Sequence, residues 1–345
     1  MLSATVDLDI FAKAEVIKAR QIKGVERLHA SELRLEGVIE ISNYLISIQS
    51  KYQPRFDIVI IEKADHAIMS FFDQVFDQGM NPAMLWSGYR TPLRYLLQAN
   101  VACLFDKDLI KRAWKARIDT NNQSAEAELV YVCSELVSRL SKLPDPFSRQ
   151  VIGDALNWAI HNPSELAYNC KTTKDVHSVT PNIIGFQAVM HGIASRLDNP
   201  QSASSIIVDQ QAQFNRSQES VAEFYAKTRN VDWAVGPGLP KIDLLNMPSV
   251  PITCKPGKES IGLELVDCYL WIFKRFFEGK DLPAQLYPII YSQLQMKPQI
   301  MSLDSLTEKW SDYFNNLPDP TDYTEDKIRA AKEWMAREEE IRLRE

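Results

Sequence analysis

The chain is poor in the residues that staple small secreted proteins or build metal knuckles. Its five cysteines (Cys103, Cys133, Cys170, Cys254 and Cys268) are odd in number, and no two stand at knuckle spacing. Neither a disulfide framework nor a zinc ribbon is suggested, and buried or inert thiols in a reducing compartment fit such sparse use. The five histidines (His29, His66, His161, His177 and His191) form no His-x-x-x-His or Glu-flanked pair, which disfavours a zinc enzyme. Only 12 glycines occur in 345 residues, with no Walker A loop, Rossmann fingerprint or Gly-x-Ser-x-Gly elbow. P-loop ATPases, dinucleotide enzymes and α/β-hydrolases are disfavoured accordingly. No apolar run approaches the ~18 residues of a membrane span. The start, Met1-Leu2-Ser3-Ala4-Thr5-Val6-Asp7, has no basic region ahead of its apolar residues, unlike a signal peptide. No membrane association and a cytoplasmic location are the expectation.

Basic charge is also in the minority: 39 Lys and Arg against 45 Asp and Glu give a formal charge of -6. Such a balance argues against a general nucleic-acid-coating protein but leaves room for a local basic groove. What is present is ordinary for a folded chain, with 45% hydrophobic and 24% charged residues. The length suits about two domains, or one α/β domain with an insertion.

Two short β-branched runs read as strands buried on both faces of an α/β sheet. They are Phe56-Asp57-Ile58-Val59-Ile60-Ile61-Glu62-Lys63 and Ser205-Ile206-Ile207-Val208-Asp209. Apolar spacing predicts helices over 11–23, 31–50, 91–106, 124–142, 181–197, 216–229 and 260–278. Residues 324–345 read as a charged terminal helix, with seven acidic and six basic residues among 22, solvated or facing a partner.

Open α/β sheets place their chemistry at the carboxyl ends of strands, where Asp209 stands. Its competing role is to start the loop or cap a neighbouring helix. In the 261–277 helix, Leu263, Asp267 and Leu270 share a face, which puts a carboxylate on an apolar stripe at a cost unless something pairs with it. Glu264 lies one turn before Asp267, and two like charges there repel. A divalent cation would reverse that, because hard cations take carboxylate oxygens. An Arg or Lys partner would do the same with no catalysis implied. Asp209, Asp267 and Glu264 are therefore candidate ligands for Mg²⁺ or Mn²⁺, with Asp209 and Asp267 as the catalytic pair of a two-metal phosphodiester hydrolase. Glu62, closing the other run, is a further candidate. The segment Lys107–Arg117 has five basic residues and one acid, and Lys111 and Lys115 stand one turn apart. They are the candidate nucleic-acid contacts, a solvated basic face being the alternative.

Several stretches together resemble one family. Phe71-Phe72-Asp73-Gln74-Val75-Phe76-Asp77 with Asn81-Pro82 is similar to the F-D-x-v-F-D…N segment of the bacterial domain-of-unknown-function family 3800. Trp86 and Tyr89-Arg90-Thr91-Pro92-Leu93-Arg94-Tyr95-Leu96-Leu97 resemble its continuation in a subgroup. Ile207-Val208-Asp209-Gln210-Gln211 resembles its internal strand, and Ser260-Ile261-Gly262-Leu263-Glu264-Leu265-Val266-Asp267 its closing s-x-G-L-Q-x-A-D helix. The similarity spans roughly residues 1–280, and each motif is short.

The resemblance implies an α/β, ribonuclease-H-like mixed sheet with a large helical insertion and a C-terminal helical extension. It sets the α/β domain at 1–300, the insertion at about 84–200 and the extension at 301–345. It also implies metal-dependent nuclease or phosphodiesterase chemistry, with the family's two aspartates falling on Asp209 and Asp267. Some members of the family occur near phage-defence or mobile-element genes. Two departures matter. The family's closing Gln is Glu264 here. Its opening Tyr-Ile-Asp-Glu-Ser-Gly hairpin, whose Asp would be the central metal ligand, has no counterpart. Asp7 and Asp9 are poor substitutes: either the coding sequence starts upstream, or the chain lacks the first strand and with it the expected hydrolase activity. The rival reading is a non-catalytic binding or assembly protein of such a locus, self-associating through its terminal helix.

Overall fold

Helices hold 65% of the chain, and the few strands are short. The computed structural model describes every residue except 200, 201, 230, 231, 234, 235, 241, 294–297 and 345. The chain folds as two units. One is made of Met1–Ile60, Asn182–Val231 and Leu244–Gln299, the other of Ile61–Pro181, Asp232–Asp243 and Ile300–Glu345. Among the described residues each sheet has two strands.

In the first unit the helices Lys13–Lys23, Ala30–Tyr52 and Ile261–Phe277 enclose a core. Val16, Ile41, Leu45, Leu265, Cys268 and Phe273 are buried in it. Tyr269 meets the Phe56 ring edge-on at 4.7 Å and gives its hydroxyl proton to the Leu45 carbonyl at 2.8 Å, so the phenol is buried with its polar end satisfied. The Ile206–Asp209 strand pairs in parallel with Ile252–Lys255, and Asp209 stands opposite Lys255. Each of these strands is followed by a helix, Asn215–Thr228 and Ile261–Phe277. That strand–helix order, with both carboxyl ends on one side, is the α/β element of the unit.

The second unit is helical. Lys63–Val75, Leu93–Ala102, Lys107–Ile118, Asn122–Ser138 and Pro146–His161 pack around Phe71, Phe72, Val101, Leu129, Leu136 and Leu156. Side-chain caps begin several of them: Asp106 accepts from Leu109 N–H, Asn121 from Ser124 N–H and Asp145 from Ser148 N–H, each satisfying an otherwise orphaned donor. The Phe71–Asn81 segment works here by packing. Its phenylalanines are buried, Asp73 pairs with Arg94 at 2.5 Å, and the buried Asn81 amide donates to the carbonyls of Val75 and Ala155. The terminal helix Glu325–Arg344 is held near its end, where buried Arg342 pairs with Asp154 and Glu339. Trp334 meets Trp86 edge-on, and Glu338 accepts from Ser87 N–H.

Two expectations are corrected. The apolar run at 56–63 is not one strand covered on both faces. Arg55–Phe56 pairs with Leu2–Ser3, Val59–Ile61 is a separate, partly buried strand, and a helix starts at Lys63. Ile206, Ile207 and Val208 are also only partly buried. Both follow from two-stranded sheets, which leave each strand an uncovered edge.

Candidate functional site

The sequence-derived carboxylates lie in the first unit, around the start of the Ile261–Phe277 helix. Ser260 is its N-cap: the hydroxyl accepts from Leu263 N–H at 3.3 Å and donates to Asp9 Oδ1 at 2.9 Å. The same Asp9 oxygen accepts from Gly262 N–H at 2.9 Å. A carboxylate thus sits at the positive end of the helix, where the free N–H groups favour it. Lys255 Nζ lies 4.0 Å from Asp9 Oδ2.

The burial of the two later carboxylates is the reverse of the expected stripe. Glu264 is 2% exposed, on the face with Ile261, Leu265, Cys268 and Ile272, whereas the Asp267 side chain is 42% exposed. A buried carboxylate demands partners, and Glu264 has three donors. Arg20 holds it with a forked grip, Nη2 on Oε1 and Nε on Oε2 at 3.1 Å, and Leu28 N–H donates to Oε2 at 2.8 Å. Arg20 comes from the Lys13–Lys23 helix, on the face that buries Val16 and Ala19.

Asp267 accepts the Ala30 N–H at 2.8 Å, and His29 Nδ1 stands 3.5 Å from the same oxygen. Ala30 opens the Ala30–Tyr52 helix, whose N-cap His29 makes no side-chain cap of its own. Asp267 therefore supplies the missing cap from another helix. Together Glu264 and Asp267 clamp the backbone at 28–30. Just beyond, Arg34 takes φ 56° and ψ -174°, a region that favours glycine and kinks the helix.

Asp209 is exposed at the strand end, its own carbonyl accepting from the Asn215 amide at 3.2 Å. A Cβ placed on Gly257 would meet Asp209 Oδ1 at 3.6 Å and Arg27 Nη1 at 3.8 Å. The carboxylate and the guanidinium thus flank one backbone position without forming an ion pair. Arg27 pairs instead with Glu32 at 3.2 Å.

Glu264 and Asp267 are brought together on the 28–30 segment, and Asp209 stands at the strand ends beside Gly257. No group of three His, Cys, Asp or Glu among the described residues could hold a metal ion. The donor set does not fit one: both oxygens of Glu264 are taken by Arg20, and one oxygen of Asp267 by a backbone N–H. Glu62 is exposed at the head of the Lys63–Val75 helix, with no capping bond from its side chain.

Lys111 and Lys115 belong to the second unit. Glu128 binds both Arg112, at 3.0 Å, and Lys115, at 3.2 Å, and Arg112 also pairs with Asp108. Two of the five basic residues of that helix, Arg112 and Lys115, are ion-paired within the protein, while Lys111 is exposed. His66, missed as a structural residue, donates from Nε2 to the Val179 carbonyl at 2.9 Å and meets Trp114 edge-on. Burial pushes its pKa down. Burial likewise pushes the Cys133 and Cys268 thiols up, so they are inert packing groups.

The residues the sequence reading missed are Arg20 and the N–H groups of Leu28 and Ala30, while Asp9, considered there only as a metal ligand, accepts from Ser260 and Gly262 at the helix start. Arg20 could have been found: it lies four positions after Val16 and one after Ala19, which places a guanidinium beside a buried face. No helix among the described residues is long and apolar enough to cross a membrane. Comparison with family models gives no match, and neither curated proteins nor solved structures give a significant one.

Proposed function

We propose that the chain is a ribonuclease-H-like α/β protein, related to family 3800, that acts as a non-catalytic binding or assembly protein. Its closing-helix acids serve the fold. One observation carries the reading: Glu264, which replaces the family's Gln, is buried and held at both oxygens by Arg20. A cation would have to displace a guanidinium and a backbone N–H from that carboxylate, and each loss leaves a buried polar group unpaired. Asp267 is similarly engaged in starting a helix. Ile10, Phe11 and Ile22 are exposed and offer apolar surface for a partner.

The test offers the full chain Mg²⁺ or Mn²⁺ with single- and double-stranded DNA and RNA, beside calorimetric titration of each cation. The expected result is no cleavage and no saturable cation binding. Cation-dependent cleavage that disappears in both Asp209→Asn and Asp267→Asn would overturn the proposal and restore the hydrolase reading.

A further inference from the structure

The terminal helix Glu325–Arg344 is attached along one edge only. Trp334, Glu338 and Arg342, at steps of four, meet the Trp86 ring, the Ser87 N–H and Asp154. From 325 to 337 every residue except Ile328 is exposed, Met335 by 55% and Trp334 by 42%. Helices in proteins owe most of their stability to a face packed against something. The first half of this helix has almost nothing packed against it.

The order of charges along the helix reverses about Met335. At equal distances on either side stand Glu333 and Arg337, then Lys332 and Glu338, each pair of opposite sign. Farther out, Lys327 and Arg329 precede the midpoint, and Glu339 and Glu340 follow it. Asp326 pairs with Arg329 inside the helix, so Lys327 and Lys332 carry the positive sign there. Glu339 shares Arg342 with Asp154, and the acidic turn keeps a net negative charge. On one flank Ile328, Lys332, Met335 and Glu339 follow at steps of four, three and four, so they share a face.

We infer that this flank joins two copies of the chain, helix against antiparallel helix about a two-fold axis at Met335. Met335 packs on its counterpart, and Lys332 of each copy stands against Glu339 of the other. A two-fold contact uses the same patch on both copies. A helix whose charges reverse about its midpoint meets that condition by itself, and a parallel pairing would set like charge beside like charge. The exposed Met335 lies where the charge order places the axis, so apolar surface and charge select the same arrangement. The inference names the partner for the assembly reading proposed above, and rests on that reading for the expectation of one.

The experiment is sedimentation equilibrium of the full chain from about 1 to 100 µM. A reversible dimer is expected, weakened by salt. Met335→Glu and Lys332→Glu should each dissociate it at least about tenfold more readily, with unchanged circular dichroism to confirm that both fold. Orientation is read in a Cys103→Ser background with a short bis-maleimide. Met335→Cys should link two copies, whereas Ile328→Cys, about 20 Å from its counterpart in the antiparallel pair, should not. A chain that stays monomeric throughout, even one that binds another protein through this helix, overturns the inference. So does a dimer indifferent to both substitutions, or linking at 328 equal to that at 335. A monomer without nuclease activity sinks the pairing alone, whereas cation-dependent cleavage sinks the assembly reading whatever the mass.

Discussion

Arg20 and Glu264 are 244 positions apart, and the guanidinium of one grips both carboxylate oxygens of the other inside the first unit. The Glu264 side chain is 1% exposed and that of Arg20 21%. Removing one partner leaves a desolvated charge, so Arg20→Ala and Glu264→Ala should each cost about 3–5 kcal/mol in denaturant unfolding. The double variant Arg20→Ala with Glu264→Ala should cost less than the sum of the two. A double-mutant cycle measures this, and strict additivity would show that the pair contributes no coupling.

The clamp at Asp267 is milder because its side chain is 42% exposed. Asp267→Ala strips the Ala30 N–H of its acceptor and should cost about 0.5–2 kcal/mol, the usual range for losing a helix cap. Asp267→Asn keeps an oxygen in place and should lose only part of that. Thermal unfolding of the two variants side by side reads the difference.

Arg34 is exposed and has φ 56°. Glycine adopts that backbone without a Cβ clash, at some entropic cost in the unfolded chain. Arg34→Gly is expected to stabilise the first unit by about 1 kcal/mol, seen as a higher denaturant midpoint. A loss of stability would show that the kink is not strained.

His66 gives a pH signature. Burial holds its folded pKa below the ordinary value, so the unfolded chain takes up a proton first as pH falls below ~6.5. Stability should therefore be full above that pH and decline on acidification until the folded form also protonates. His66→Phe keeps a ring against Trp114 and should flatten this part of the profile, while losing the bond to the Val179 carbonyl. An unchanged slope between about pH 5 and 6.5 would assign the decline to other groups.

The terminal helix is pinned by one buried guanidinium, with Asp154 and Glu339 as its acids. Arg342→Ala leaves Asp154 unpaired and should weaken docking by about 1–3 kcal/mol. The readout is limited trypsin digestion, with faster cleavage inside 325–344 and an otherwise resistant second unit. Equal cleavage rates would mean that Trp334 and Glu338 hold the helix without Arg342.

Local signals were strong where a single residue does a local job. The Ile261–Phe277 helix lies within one residue of the span its apolar spacing predicts, and the strand ending at Asp209 lies within one residue of the β-branched run that marked it. The charged terminal helix is also present where its composition placed it, Glu345 lying outside the described residues. These features follow from bonds between neighbours in the chain, and such bonds have the same geometry in any fold.

The site was legible only in its residue types. Leu263, Asp267 and Leu270 form as good an apolar stripe as Ile261, Leu265 and Ile272, because the helix is hydrophobic nearly all round. The buried face was decided by the helices that cover it, and this put Glu264 inside and Asp267 toward solvent. Periodicity cannot name a partner 244 positions away, nor tell that Ile252–Lys255 would lie parallel to Ile206–Asp209. By itself the sequence determined where about half of the helices lie and which residues could carry charge chemistry. Only the tertiary structure decided that Glu264, once removed from water, is satisfied by Arg20 and the Leu28 N–H, and that Asp267, nearer to solvent, accepts the Ala30 N–H.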